Sequence, residues 1–172
     1  MKTFWVLLWG ISIMLTVSGL HAEVIDGFRG VKCGDPFDNW QKEMTLEAEA
    51  SGVIGNKFYT RKNDLLEIGN DKLLQILYSF WEDKFEGAII GAKGYGNCDS
   101  LKAAAIEKFG KDPDKPNKFM EDYFWKFGSL QVCYGYKKIP ETCSLAVFCW
   151  GIIQEKDKKM EEKAKEGAKS GF

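Results

Sequence analysis

Residues 74–89, LQILYSFWEDKFEGAI, predict a β-hairpin around which the rest of the chain is organised. Apolar side chains alternate along its first half, as in a strand with one buried face. They are Leu74, Ile76, Tyr78 and Phe80. A two-residue turn at Glu82–Asp83 would place Phe80 opposite Phe85. The same register would place Ile76 opposite Ile89 on the same face, so register and apolar pattern agree and predict an antiparallel sheet.

A helix is expected on each side of this hairpin. Residues 34–44 begin with Gly34, followed by Asp35, which can cap a helix, and Pro36, which is suited to the first helical position. Residues 97–109 begin with Asn97 or Asp99 as the cap and are followed by glycine. The apolar faces are Phe37, Trp40 and Met44 in the first helix and Leu101, Ala105 and Phe109 in the second. Residues 45–56 are small and polar and predict a loop.

Residues 124–150 predict further strands, because apolar residues again alternate. Residues 154–172 predict a charged C-terminal helix, with opposite charges four residues apart, as at Glu155 and Lys159. The predicted fold class is therefore α+β, an antiparallel sheet with helices packed on one face. A second description stays open, two tandem repeats of a helix followed by strands, since a glycine-led helix begins near Gly34 and near Gly96.

Residues 1–22, MKTFWVLLWGISIMLTVSGLHA, are typical of a secretory signal peptide. Lys2 gives the basic start, an apolar run follows, and Ala22 is a small residue at the expected cleavage site. The alternative is an uncleaved membrane anchor, but no basic cluster follows the run. We expect a signal peptide (1–22), a single α+β domain (23–153) and a charged C-terminal helix or tail (154–172). The expected location is periplasmic or secreted, without stable membrane insertion after cleavage.

Cleavage would remove His21, the only histidine of the chain, and with it the catalysis and metal binding that depend on imidazole. Loss of Lys2 would shift the net charge from −1 to −2, which argues against a nucleic-acid partner. The oxygen-rich loop 112–117 lacks the glycine of a calcium loop. The glycine-rich run 91–96 lacks the spacing of a nucleotide-binding motif. We expect no metal, no cofactor and no catalytic residue.

The five cysteines are disulfide candidates in an exported chain. A turn centred near Lys138 would place Cys133 opposite Cys143 on neighbouring strands. Cys33 and Cys98 each precede a predicted helix and would pair if the two halves of the chain are repeats. The alternatives are buried free thiols and a reactive thiol at a helix N-terminus.

Four segments carry a resemblance to other proteins: GFRGVKCGDPFDNWQKEM (27–44), FYTRKNDLLEIGNDKLLQILYSFWEDKFEGAIIGAKGYGN (58–97), LKAAAIEKFG (101–110) and KAKEGAKSGF (163–172). Together they resemble a group of uncharacterised exported proteins of Gram-negative bacteria, which implies a periplasmic or envelope location. In architecture alone, the order of helix and sheet is similar to the β-lactamase-inhibitor-like and outer-membrane-assembly-lipoprotein folds. That similarity implies binding rather than catalysis.

Tyrosine and tryptophan are preferred anchors of binding surfaces, so an aromatic face of the sheet is the predicted contact surface. Its candidate residues are Tyr78, Trp81, Trp125, Tyr134 and Trp150. The leading hypothesis is a non-enzymatic module of the periplasm or envelope that binds an unidentified protein. The alternatives are a small carboxylate- or thiol-dependent enzyme and a chaperone-like envelope stress protein.

Overall fold

A computed structural model describes residues 26–50, 55–69 and 71–170; the predicted signal peptide lies outside these residues. The described ranges contain eleven strands, two α-helices and one short 3₁₀ turn. The strands are β1 (Gly27–Phe28), β2 (Val31–Lys32), β3 (Met44–Glu49), β4 (Asn56–Arg61), β5 (Glu67–Ile68), β6 (Asp71–Lys72), β7 (Gln75–Trp81), β8 (Lys84–Lys93), β9 (Glu121–Phe127), β10 (Leu130–Lys137) and β11 (Thr142–Cys149). The helices are α1 (Tyr95–Phe109) and α2 (Trp150–Ser170), and the 3₁₀ turn is Phe37–Asn39.

Seven of the strands form one antiparallel sheet in the order β3-β4-β7-β8-β11-β10-β9. The hairpins β1–β2 and β5–β6 are separate from it. Hairpin β1–β2 and helix α1 pack on the same side of the sheet, which we call the front face. Hairpin β5–β6 contacts α1. The predicted α+β class, the antiparallel sheet and the C-terminal helix are confirmed. The core lies between the front face and these covering elements, because the front-face side chains of β7, β8, β10 and β11 are buried.

The central hairpin has the predicted turn, with Glu82 and Asp83 at φ 47° and 59°. Positive φ at both positions is the type I′ geometry that matches the twist of paired strands. Phe80 is opposite Phe85, as predicted. The predicted pairing of Ile76 with Ile89 is wrong.

A β-bulge shifts the register beyond that first pair. Ser79 is opposite Gly87, so Glu86 is the extra residue of β8 and Ile76 is opposite Ile90. One extra residue exchanges the faces of all residues that follow it. Ile90 rather than Ile89 therefore belongs to the front face, where it is 1% exposed.

The N-terminal part differs most from prediction. The helix expected over 34–44 is only the three-residue turn Phe37–Asn39. Strand β3, Met44–Glu49, takes the last residue of that expected helix and the first five residues of the expected loop. Asp35 does not cap a helix; its carboxylate accepts hydrogen bonds from the Lys32 backbone N–H and Trp40 Nε1. Pairing of β3 with β4 satisfies backbone groups of residues 44–49 whose local composition suggested a loop.

The second predicted helix is confirmed as α1, which begins at Tyr95 and ends before Gly110. The predicted cap is wrong, because Gly94 is the N-cap and both Asn97 and Asp99 lie within the first turns of the helix. The first half of the chain thus has a three-residue turn where the second half has a fifteen-residue helix. Both halves contribute strands to the same seven-stranded sheet.

The C-terminal helix α2 lies against the turn end of the central hairpin. Lys84 Nζ contacts Glu155 Oε1 at 3.0 Å, and Lys159 pairs with Glu82. Lys159 Nζ also lies 5.0 Å from the ring centroid of Trp81. Because side chains alternate along a strand, Trp81 points away from the front face, to which Phe80 belongs. No helix within the described ranges is long and apolar enough to cross a membrane.

Candidate functional site

A cavity of about 700 Å³ lies between the front face, residues 26–32 and α1, and we call it the front cavity. Its floor consists of three buried aliphatic side chains, Ile90, Leu145 and Val147. One wall is formed by residues 26–32, and Ile68 of β5 lies beside it. The opposite wall is the C-terminal half of α1, through Ala104, Ala105, Lys108 and Phe109.

Strand β11 connects the floor to both walls. Its buried front-face side chains are, in order, Cys143, Leu145, Val147 and Cys149. The two in the middle belong to the floor, and the two at the ends form disulfides. Cys143 is bonded to Cys98 in the first turn of α1, and Cys149 is bonded to Cys33, directly after β2. Each wall is therefore joined covalently to the strand that forms the floor.

Arg29 holds the tip of the β1–β2 hairpin in place. The hairpin turns at Arg29 and Gly30, with φ of 47° and 85°. The guanidinium donates from Nη1 to Asp64 Oδ1 and to the Leu65 carbonyl, both at 2.6 Å. It donates from Nη2 to the Glu67 carbonyl at 3.1 Å. Three acceptors on residues 64–67 thus fix this wall.

Asp64 also joins the wall to the core. The Tyr78 hydroxyl donates to Asp64 Oδ2 at 2.7 Å, and the Tyr78 ring lies 5.9 Å from that of Phe28, a lining residue. Burial raises the pKa of Tyr78 far above its usual range, and this hydrogen bond is the second-largest cause of the increase. Tyr78 therefore stays protonated and donates to Asp64 Oδ2, while Asp64 Oδ1 contacts the Arg29 guanidinium.

The charged groups of the lining lie at the mouth of the front cavity. Asp26, Lys32 and Lys108 are exposed, whereas the floor residues are at most 5% exposed. Lys32 Nζ lies 3.6 Å from Asp26 Oδ2, with both side chains more than half exposed. Lys108 has no ion-pair partner among the described residues. The site is thus an apolar chamber with a mainly cationic opening.

Gly27 sets the close approach of the two strands of this wall. A Cβ there would lie 2.0 Å from the Val31 carbonyl oxygen and 2.8 Å from Lys32 Cα. We expect Gly27→Ala to lower the free energy of unfolding by about 2 kcal/mol or more, because backbone atoms must move to accept the methyl group. Urea unfolding measures this, and hydrogen exchange of residues 27–33 localises it.

The matched control is Gly96→Ala in α1, where an added Cβ meets nothing within 4 Å. Alanine favours helix over glycine, so this control is expected to be neutral or slightly stabilising. Equal stability of the Gly27→Ala variant and the wild type would contradict the close approach described for this wall.

The predicted cysteine pairs are wrong, although three of the four cysteines placed in those pairs do form disulfides. Cys143 is opposite Tyr136, and Cys133 is opposite Ala146, because the β10–β11 loop covers residues 138–141 rather than being centred at Lys138. That shift is three residues, an odd number, so Cys133 and Cys143 point to opposite faces.

The other predicted pair, Cys33 with Cys98, does not form because the two residues are bonded to distant positions of β11. Their actual partners, Cys149 and Cys143, are six residues apart on β11, which is about 20 Å along a strand. Cys149 was in neither predicted pair, and its position on the apolar face of β11 was the only sequence signal for it.

Cys133 is the free cysteine among the five, all of which lie in described residues. Its side chain is half-buried on the face opposite the cavity, between Ala146 and Phe124 on the neighbouring strands. Burial raises the pKa of the Cys133 thiol, which lowers the fraction of reactive thiolate. The two thiols near predicted helix starts, Cys33 and Cys98, are both disulfide-bonded. A thiol nucleophile therefore has little support here.

Four of the five aromatic residues predicted to contact a partner are buried. Tyr78 and Trp81 are 0% exposed, Tyr134 is 2% and Trp125 is 5%. Trp150, the first residue of α2, is 40% exposed. An aromatic contact surface built on this set does not exist in the folded chain.

Three of the buried aromatic residues have their polar side-chain atom hydrogen-bonded inside the protein. The Tyr134 hydroxyl donates to the Cys98 carbonyl at 3.0 Å, and Trp125 Nε1 donates to the Gly110 carbonyl at 2.9 Å. The Tyr78 hydroxyl is bonded to Asp64, as described above. A buried ring whose polar atom is hydrogen-bonded stabilises the core, so these aromatics are structural. Burial also raises the pKa of Tyr134 to about 12.

A buried polar cluster beneath α2 was not predicted. The Glu86 carboxylate is 2% exposed and accepts from Lys156 Nζ at 2.6 Å, from Ser79 Oγ at 2.8 Å and from Asn56 Nδ2. Asn56 Oδ1 and Trp81 Nε1 are buried and have no hydrogen-bond partner among the described residues. Strand alternation after Phe85 places Glu86 on the face opposite the front face, and the partners Asn56 and Lys156, which are remote in the sequence, complete the cluster.

No group of three or more metal-ligating side chains occurs among the described residues. The adjacent acids Glu82 and Asp83 form the tip of the central hairpin and are exposed. Comparison of the chain with protein-family models, with curated protein sequences and with solved structures gave no significant match.

Proposed function

We propose that this protein is an exported, non-enzymatic binding protein that takes its ligand in the front cavity. The observation that carries this proposal is the covalent attachment of both cavity walls to the floor strand β11, by Cys33–Cys149 and Cys98–Cys143. A chamber held open in this way is preorganised, so little conformational entropy is lost when a ligand enters.

The dimensions and lining of the front cavity support binding. Its volume of about 700 Å³ lies within the range of small-molecule sites. The floor is aliphatic and the titratable lining groups are confined to the mouth, so apolar contact is the main interaction on offer. The buried aromatics leave this cavity, rather than the sheet surface, as the better-supported contact region.

Export is the second part of the proposal. Residues 1–22 have the pattern of a signal peptide, and four segments resemble exported proteins of Gram-negative bacteria. Disulfides persist mainly in oxidising compartments such as the periplasm. Two disulfides in one small chain fit that environment.

Substitution of a cavity wall tests the binding site. Ala104 lines the front cavity from α1, whereas its neighbour Ala103 is exposed and does not. A neutral dye that fluoresces in apolar surroundings, N-phenyl-1-naphthylamine, serves as the probe. We expect Ala104→Phe to weaken dye binding at least tenfold, which is about 1.4 kcal/mol of lost binding energy, because the ring projects into the chamber and takes space that the dye would use.

The matched control is Ala103→Phe, which adds the same ring to the outer side of the same helix and is expected to bind dye like the wild type. Both variants are first checked for wild-type circular dichroism. Failure of the wild type to bind the dye, or equal binding by the two variants, would refute the front cavity as the binding site.

A further inference from the structure

The floor of the front cavity fixes the chemistry of the buried part of a ligand. Ile90, Leu145 and Val147 present only aliphatic groups and are 1–5% exposed. A polar group placed against them would lose its hydration without gaining a hydrogen bond, and this loss would lower the affinity. The part of the ligand that reaches the floor is therefore a hydrocarbon chain or ring.

The mouth has more available positive than negative charge. Its four charged lining residues are Asp26, Arg29, Lys32 and Lys108. Arg29 is already occupied by Asp64 and two carbonyl groups of residues 64–67. Of the remaining groups, two are cations and one is an anion.

These two cations are free to engage a ligand. The contact between Lys32 and Asp26 is long, 3.6 Å, and both side chains are largely in water, so the pair contributes little to stability. Lys108 lies on the opposite wall and has no ion-pair partner within the described part of the chain. The two lysines therefore line the same cavity from two different walls.

We infer that the front cavity takes a single-chain anionic amphiphile, with its hydrocarbon chain on the aliphatic floor and its carboxylate or phosphate group at Lys32 and Lys108. This inference rests on the proposed function, because it names the ligand class of the same cavity. A cationic head group would be repelled by the lysines, and a neutral head group would gain nothing from them.

Competition against the neutral dye tests the inference. Four competitors share a twelve-carbon chain and differ in the head group: dodecanoate, dodecyl phosphate, dodecanol and dodecyltrimethylammonium, each used below its micelle concentration. We expect the two anions to displace the dye at concentrations at least tenfold lower than dodecanol, and the cation to be the weakest. The ratio of dodecanoate to dodecyl phosphate affinity separates a fatty-acid ligand from a phosphate-bearing lipid.

Lysine variants show whether the mouth is responsible. In the double variant Lys32→Gln/Lys108→Gln we expect the preference for anions over dodecanol, measured as a ratio within the same variant, to fall to about twofold or less. Lys111→Gln, an exposed lysine just beyond α1 that does not line the cavity, is the control and should keep the full preference. Raising the salt concentration should reduce the anion preference in the wild type, because exposed charges are screened.

The possible outcomes distinguish an error about the head group from an error about the binding cavity. If the dye binds but dodecanol competes as well as dodecanoate, the inference about the head group is wrong and the binding cavity stands. An anion preference that survives in the Lys32→Gln/Lys108→Gln variant would also overturn the role given to these lysines. If neither dye nor any competitor binds, the proposed function itself fails.

Discussion

Replacing Cys33 and Cys149 together with serine is expected to lower the free energy of unfolding by about 5 kcal/mol. These residues are 116 positions apart, and in the chain-entropy model a loop of that length restricts the unfolded chain by about this amount. The corresponding change at Cys98 and Cys143, which are 45 positions apart, is expected to cost about 4 kcal/mol. Either loss is a large share of the stability of an ordinary domain.

Urea denaturation of the purified oxidised proteins measures both effects. Cys133→Ser is the matched control, because Cys133 is free and only half-buried, and it is expected to cost about 1 kcal/mol or less. Wild-type protein treated with a reductant loses both disulfides and should be less stable than either double variant. If the Cys33/Cys149 double variant proves no less stable than Cys133→Ser, this disulfide and its attachment of the hairpin wall would be refuted.

The second large effect is expected at Lys156. Its Nζ contacts the Glu86 carboxylate at 2.6 Å, and the two side chains are 15% and 2% exposed. Lys156→Met would leave a buried carboxylate without its cation, which costs about 3 kcal/mol. Hydrogen bonds from Ser79 and Asn56 remain in place and keep the loss from being larger.

A double variant isolates the charge from the packing. Glu86→Gln combined with Lys156→Met removes both charges, so we expect it to be more stable than Lys156→Met alone. Lys158→Met, at an exposed position of the same helix, is the control and should stay within about 0.5 kcal/mol of the wild type. A Lys156→Met variant as stable as this control would show that α2 is not held by the Glu86 pair.

The elements that sequence predicted well are those stabilised by local signals. The turn at Glu82–Asp83 and the pair Phe80–Phe85 need only the two strands beside them. Helix α1 follows from its apolar spacing and from the glycine that ends it. By contrast, residues 45–49 have no local strand pattern, and they are a strand because β4 offers them a partner.

The site could not be predicted because it depends on register and on long-range contacts. The bulge at Glu86 decides which isoleucine reaches the cavity floor, and the length of the β10–β11 loop decides which cysteine reaches α1. The aromatic residues were assigned to a surface from their type alone. Their burial depends on acceptors such as the Asp64 carboxylate and the Cys98 carbonyl, which are remote in the sequence.

By itself, the sequence determined the α+β class, the central hairpin and the C-terminal helix, because periodicity and turn chemistry act over a few residues. Only the tertiary structure decided the cysteine pairing, the buried Glu86 cluster and the front cavity with its two lysines. Strand register, which changes the face of every following residue, is fixed by the packing of the whole sheet rather than by any one segment.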